Sequence, residues 1–160
     1  ISESDFPTSS GTFRLHIFRS ILDKRTHYAL TLGKFTKKSS ILVRVQTANI
    51  LADSLGLLEK GGHNSIIPET LKALAEAGAG ALLYMEPRQT DFNSKNRGND
   101  ILPSAALPPK MDFRDYGIGA QILVALGLKK LKLLSRDDRK VVGLEGYGLE
   151  ITDRVILPRR

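Results

Sequence analysis

The chain has 160 residues with no Cys and no Trp, and 24 Lys+Arg stand against 17 Asp+Glu. The missing cysteine excludes a disulfide scaffold, a cysteine nucleophile and any thiolate-bound zinc or iron–sulfur centre. The length suits one domain with a real core. No apolar run nears the roughly 20 residues that a membrane helix needs, so the expectation is a soluble, cytoplasmic protein with no membrane partner.

The net charge of +7 raises the question of nucleic acid. Residues 1–80 hold 10 basic and 7 acidic side chains, and residues 81–160 hold 14 and 10. The excess is therefore spread along the chain. A single-strand binder would show a basic stripe with interleaved stacking aromatics, and that pattern is absent. Nucleic acid is not an expected partner, whereas a phosphorylated small molecule fits a modest basic excess.

In chain order, residues 1–10 (ISESDFPTSS) are polar and read as an interdomain linker. Ile1 at the start points to a cut or processed polypeptide. From Gly11 the pattern becomes β. Thr12–Arg19, His27–Leu32 and Ile41–Val45 are short strands with alternating or apolar runs, and they suggest an antiparallel section. Ile66–Ala77 reads as a helix with Pro68 in its first turn and Gly78 as its stop. Ala81–Tyr84 is an apolar strand. Residues 85–110 hold four prolines and a polar run, and they read as a long, partly disordered loop. Tyr116–Leu126 is a second helix closed by Gly127, and Leu131–Leu134 is another strand. Ser135–Val142 reads as a short capped helix, and Ile151–Leu157 as a final strand. The β–α–β–α–β order predicts a parallel sheet between helices. The expected domain runs over residues 11–160.

Two stretches carry the chemistry. Arg114-Asp115-Tyr116-Gly117-Ile118-Gly119 lies just before or at a helix start, where glycines let backbone N–H groups approach an anion; on physical grounds alone an ordinary loop-to-helix turn with a salt bridge is the preferred reading. Asp112 and Arg114 are two apart and would face one side in an extended stretch, as a catalytic or a structural pair. Ser135, Arg136 and Lys140 follow an apolar strand at the edge where α/β proteins bind phosphate; a plain capped helix with solvated charges is the competing reading. His16, His27 and His63 are scattered and make no metal pattern.

The residues also carry a resemblance. Pro7-Thr8 with Gly11-Thr12-Phe13, Glu76–Tyr84 (EAGAGALLY), Asp112–Leu134 (DFRDYGIGAQILVALGLKKLKLL), Arg139-Lys140 and Gly143–Ile151 (GLEGYGLEI) resemble the motifs of the GTP cyclohydrolase II family, nearly end to end. The resemblance implies a three-layer α/β fold, with a parallel sheet and an N-terminal antiparallel section. It also implies a zinc enzyme of riboflavin synthesis that opens GTP. Asp112 and Arg114 match the family's acid and arginine. Ser135 stands at its nucleotide-contacting threonine, and Lys140 matches its nucleotide-contacting lysine. Arg136 falls where the family has an Asn-Asn-Pro run.

The departures are specific. Asn49 stands where the family places its first zinc cysteine, and Lys60 and Gly62, or their neighbours, stand where it places the other two. The guanine-reading motif after the Tyr84 strand is replaced by Met85–Asp91. Family members often follow a 3,4-dihydroxy-2-butanone 4-phosphate synthase module in one polypeptide. The expectation is therefore a zinc-free, degenerate cyclohydrolase-like domain beside an upstream synthase. Its role would be structural, dimer-forming as a homodimer, or regulatory through a phosphorylated ligand or nucleotide on Arg114, Ser135, Arg136 and Lys140. The enzyme alternative is a metal-independent or altered-substrate cyclohydrolase using Asp112 and Arg114.

Overall fold

The computed structural model describes residues 2–48, 67–87, 113–135 and 144–157. Seven strands form one sheet: β1 (Ser2–Thr8), β2 (Gly11–Arg19), β3 (Thr26–Leu32), β4 (Ser40–Thr47), β5 (Gly80–Met85), β6 (Lys130–Ser135) and β7 (Glu150–Ile156). Two helices are α1 (Ile67–Ala77) and α2 (Phe113–Ala125), and a one-turn 3-10 helix spans Glu145–Tyr147. The sequence-predicted strands and both helices are present, most longer by one or two residues at an end. The short helix expected over 135–142, and most of the long loop 85–110, lie outside the described residues.

The strand order is β1-β2-β3-β5-β4-β6-β7. Strands β1, β2, β3 and β5 pair antiparallel, whereas β5, β4, β6 and β7 pair parallel. The expected parallel sheet and antiparallel section are one continuous sheet, joined where β3 pairs with β5, but Ile41–Val45 does not belong to the antiparallel section as expected: β4 pairs parallel with both β5 and β6, because β5 inserts between it and β3.

Side-chain alternation across this sheet builds two cores. Ala81, Leu83 and Met85 of β5 lie on one face with Ile41, Val43, Leu131 and Leu133, and they meet Ala120 and Leu123 of α2. Leu82 points to the other face, with Phe13 and with Leu71 and Leu74 of α1. The helices therefore cover opposite faces in three layers. Helix α1 ends at Gly78, whose φ of 80° is left-handed. Helix α2 ends in a two-bond reversal: Gly127 N–H donates to Val124 at 3.0 Å and Leu128 N–H to Leu123 at 3.1 Å. Gly127 supplies the positive φ of 89° that this motif needs.

Two further findings correct the sequence reading. Residues 2–8, expected within a linker, form β1 at the sheet edge. Its side chains are almost all exposed, so its polarity reflects an edge with no core behind it. Arg14 of β2 holds it through Glu3 at 3.1 Å and Asp5 at 3.3 Å. The second correction concerns Gly117 and Gly119, which lie inside α2 and not at an anion-binding turn. A Cβ at Gly119 would come within 3.3 Å of Leu83 and 3.5 Å of Met85, so its absence lets the helix lie close on the sheet. A Cβ at Gly117 would sit 2.7 Å from the Tyr147 hydroxyl, which packs there instead.

Leu74 is fully buried between α1 and the sheet. Leu74→Ala is expected to cost about 2–5 kcal/mol in urea unfolding. Lys72→Ala, on the exposed face of the same helix, is expected to stay within about 0.5 kcal/mol of wild type.

Candidate functional site

The parallel strands β5, β4 and β6 all finish at one edge of the sheet, at Met85, Thr47 and Ser135. In α/β sheets this carboxyl edge is where ligands bind. Helix α2 leads through a short turn into β6, so its N-terminus returns to the same edge. Strand β3 begins there too, because His27 pairs with Met85.

One guanidinium ties these segments together. Arg25, in the turn before β3, is 8% exposed, and Asp115, in the first turn of α2, is 7% exposed. Arg25 donates from Nη2 to Asp115 Oδ1 at 2.9 Å and from Nη1 to the Glu86 carbonyl at 2.9 Å. Its Nε donates to Asp23 Oδ2 at 2.6 Å. The planar fork of donors therefore satisfies the hairpin turn, the exit of β5 and the entry of α2 at once. Asp115 also carries its negative charge at a helix N-terminus, where the helix dipole favours it.

A second layer completes the edge. The Glu86 carboxylate accepts from Thr26 N–H at 2.6 Å, and Glu86 N–H donates to His27 Nδ1 at 3.1 Å. His27 is fully buried. Because Nδ1 accepts, the hydrogen-bond network assigns the proton of the neutral ring to Nε2, which has no partner among the described residues. Burial first, then the nearby Arg25 charge, push the His27 pKa below its ordinary value. At Asp23, burial works to raise the pKa, but hydrogen bonds from Arg25 and Ser20 outweigh it and bring it down to about 2.

The sequence-predicted residues fall on this edge where they are described. Arg114 is exposed in the first turn of α2, and Ser135 is half-buried at the end of β6. The Ser135 carbonyl accepts from Leu157 N–H at 2.8 Å. Asp112, Arg136 and Lys140 lie outside the described residues, as do Asn49, Lys60, Gly62 and His63. Sequence reasoning missed Arg25, Asp23 and Glu86, and it took His27 as one of three scattered histidines. The local signal was Asp23-Lys24-Arg25 in a hairpin turn, followed by a histidine that opens an alternating strand. Asp115, 90 residues later, could not be paired with it from spacing alone.

The described charges at this edge are engaged with one another. Arg25 is enclosed by two carboxylates and a carbonyl, and His27 has no exposed surface. This cluster can brace a site and fix the entry of α2. Arg114 and Ser135 are the predicted contact residues that retain exposed surface there.

A family model described as GTP cyclohydrolase II matches residues 1–156. The chain belongs to that family. It is 36% identical over 165 residues to the riboflavin biosynthesis protein RibBA of Chlorobium phaeovibrioides (strain DSM 265 / 1930), which takes in 97% of this chain and 40% of that protein. RibBA of Aquifex aeolicus (strain VF5) is 33% identical over 168 residues, 97% of this chain and 41% of that protein. The chain thus spans about two fifths of the length of the curated relatives it matches. Among solved structures, that of RibBX, a two domain 3,4-dihydroxy-2-butanone 4-phosphate synthase from A. baumannii, matches with a TM-score of 0.58 and 21% identity. The match covers 100% of this chain and 40% of that one, and it shows a shared fold.

The zinc implied by the GTP cyclohydrolase II resemblance does not fit the donors present. The whole chain has no cysteine, and among the described residues no group of three His, Asp or Glu could hold a metal ion.

Two pH effects follow. Unfolded His27 gains a proton as pH falls through its ordinary value of 6.5, while the folded ring resists it. The unfolded state then binds more protons, so stability falls with falling pH. Urea unfolding at pH 7.5 and 5.5 is expected to show this loss, with a smaller loss in His27→Gln. Asp23 contributes stability that is fully present above its ordinary 3.8 and fades as pH falls toward about 2. Asp23→Asn is expected to flatten acid unfolding in that window.

Proposed function

We propose that this chain is a GTP cyclohydrolase II-like module of riboflavin biosynthesis that does not open GTP with zinc. It serves in the cytoplasm as a structural and ligand-binding partner of a 3,4-dihydroxy-2-butanone 4-phosphate synthase module in the same polypeptide, within a homodimer. The single observation that carries the reading is the complete absence of cysteine from a chain whose family match runs over residues 1–156. Thiolates hold zinc strongly because they are charged, soft donors. Asparagine, lysine and glycine at the corresponding positions offer no such donor.

Ring opening of a purine needs a nucleophilic water and a polarised carbon, and bound zinc supplies both. The described edge residues offer no substitute, since the imidazole of His27 is buried and neutral and Arg25 is saturated. What the edge retains suits binding. Arg114 is exposed at a helix N-terminus, where dipole and guanidinium both favour an anion, and Ser135 adds a hydroxyl at the end of β6. Arg136 and Lys140 complete the proposed phosphate-binding set. The length of the RibBA relatives, and the two-domain description of RibBX, support a synthase partner.

Purified protein incubated with GTP and Zn²⁺ is expected to release no formate above a protein-free blank, and to carry well under one zinc per chain by elemental analysis. Stoichiometric zinc with formate release would overturn the reading. Formate released without zinc would establish the metal-independent enzyme instead. In calorimetry with GTP, Arg114→Ala is expected to weaken binding about 10–100-fold, the worth of one charged hydrogen bond.

A further inference from the structure

The turn between β2 and β3 carries apolar surface that the fold does not use. Ile21 is 85% exposed and Leu22 is 92% exposed, the barest of the large hydrophobic side chains described. The turn beneath them is firmly built. Ser20 N–H donates to the Arg25 carbonyl at 2.9 Å, and Lys24 N–H donates to the Ser20 carbonyl at 3.1 Å. Arg25 N–H donates to Asp23 Oδ1 at 3.1 Å. Lys24 adopts a left-handed φ of 61°, the one non-glycine residue described with a positive φ. Arg25 then anchors the turn to Asp115 and to the Glu86 carbonyl. Two apolar side chains on so fixed a base lose little backbone freedom on docking.

The course of the chain says what they meet. Strand β1 runs antiparallel to β2 with Ser2 opposite Ile17. Strand β1 therefore begins, at Ser2, beside the end of β2, about 4.8 Å across the sheet and within a few residues of the Ile21–Leu22 turn. The relatives carry roughly three fifths of their length outside the region that this chain matches. We propose that Ile21 and Leu22 form an anchor that inserts into an apolar recess of the module preceding β1 in the parent polypeptide. This rests on the synthase-fusion reading given above.

A knob of two side chains is a poor basis for a two-fold self-contact, which needs a self-complementary patch of about 800 Å² on each copy. The flanking Arg19, Asp23 and Lys24 are exposed and charged, as the rim of an anchored contact would be. Docking here would set the preceding module against the Arg25–Asp115 clamp. It would thereby reach the carboxyl edge where Arg114 and Ser135 lie.

The test is site-specific photo-crosslinking in the intact parent polypeptide, with p-benzoylphenylalanine replacing Leu22. At 92% exposure this position tolerates the larger side chain without disturbing the core. Lys38, exposed in the connection at the opposite end of the sheet, is the control site. Mass spectrometry is expected to find the position-22 adduct on a peptide preceding residue 1, at the mass of one polypeptide and at least tenfold above the control. An adduct within residues 1–160, an adduct at twice the chain mass, or a yield equal to the control would each overturn the proposal. A parent polypeptide too short to hold a preceding module would overturn the fusion reading itself, and the docking with it.

Discussion

The Arg25 guanidinium is the constraint on which the edge of this protein depends. A buried charge is tolerated only when partners replace the water it has lost. Arg25 has three: Asp23, Asp115 and the Glu86 carbonyl. They come from the hairpin turn, the first turn of α2 and the residue after β5. Each of those segments has a direction to keep at the point where it leaves regular structure, and a single side chain fixes all three. His27 and Glu86 extend the arrangement by tying the start of β3 to the end of β5. Loss of one partner would strand a buried charge, which costs far more than the net worth of the pair.

This arrangement explains how the family scaffold persists without the thiolates that a zinc centre would use. The stability of the carboxyl edge is written into ion pairs and into the two cores, and the described parts of it need no metal ligand. The glycines of α2 serve the same end. Gly119 lets the helix lie against Leu83 and Met85, and Gly117 makes room for the Tyr147 phenol. A scaffold held in this way places Arg114 and Ser135 at the carboxyl edge of the sheet.

Much of the fold was legible because its core strands and helices obey simple periods. The alternation in Thr12–Arg19 and His27–Leu32, the apolar run Ala81–Tyr84, and the glycine stops at Gly78 and Gly127 all correspond to observed elements. β1 escaped because an edge strand with both faces exposed has no apolar period to read. The glycines of the DYGIG motif were legible as residues but ambiguous as causes, since close packing and anion approach make the same demand for a missing Cβ. Arg25 and Asp115 were each visible as charges. Their partnership depends on β3 lying beside β5, a long-range pairing that no local pattern announces. The cysteine count works the other way. It is trivial to read and says little alone, and it gains meaning only once the chain is placed in a family whose zinc is expected to sit on thiolates.

A double-mutant cycle on Arg25 and Asp115 tests the central claim most directly. Arg25→Met, Asp115→Leu and the double variant would be compared with wild type by urea unfolding. The clamp predicts that each single variant loses about 3–5 kcal/mol. It also predicts that the double variant loses markedly less than the sum, with a coupling of about 1.5–3 kcal/mol. Single losses under about 1 kcal/mol that add within about 0.5 kcal/mol would contradict the account, and would show that the carboxyl edge is held by something other than this pair.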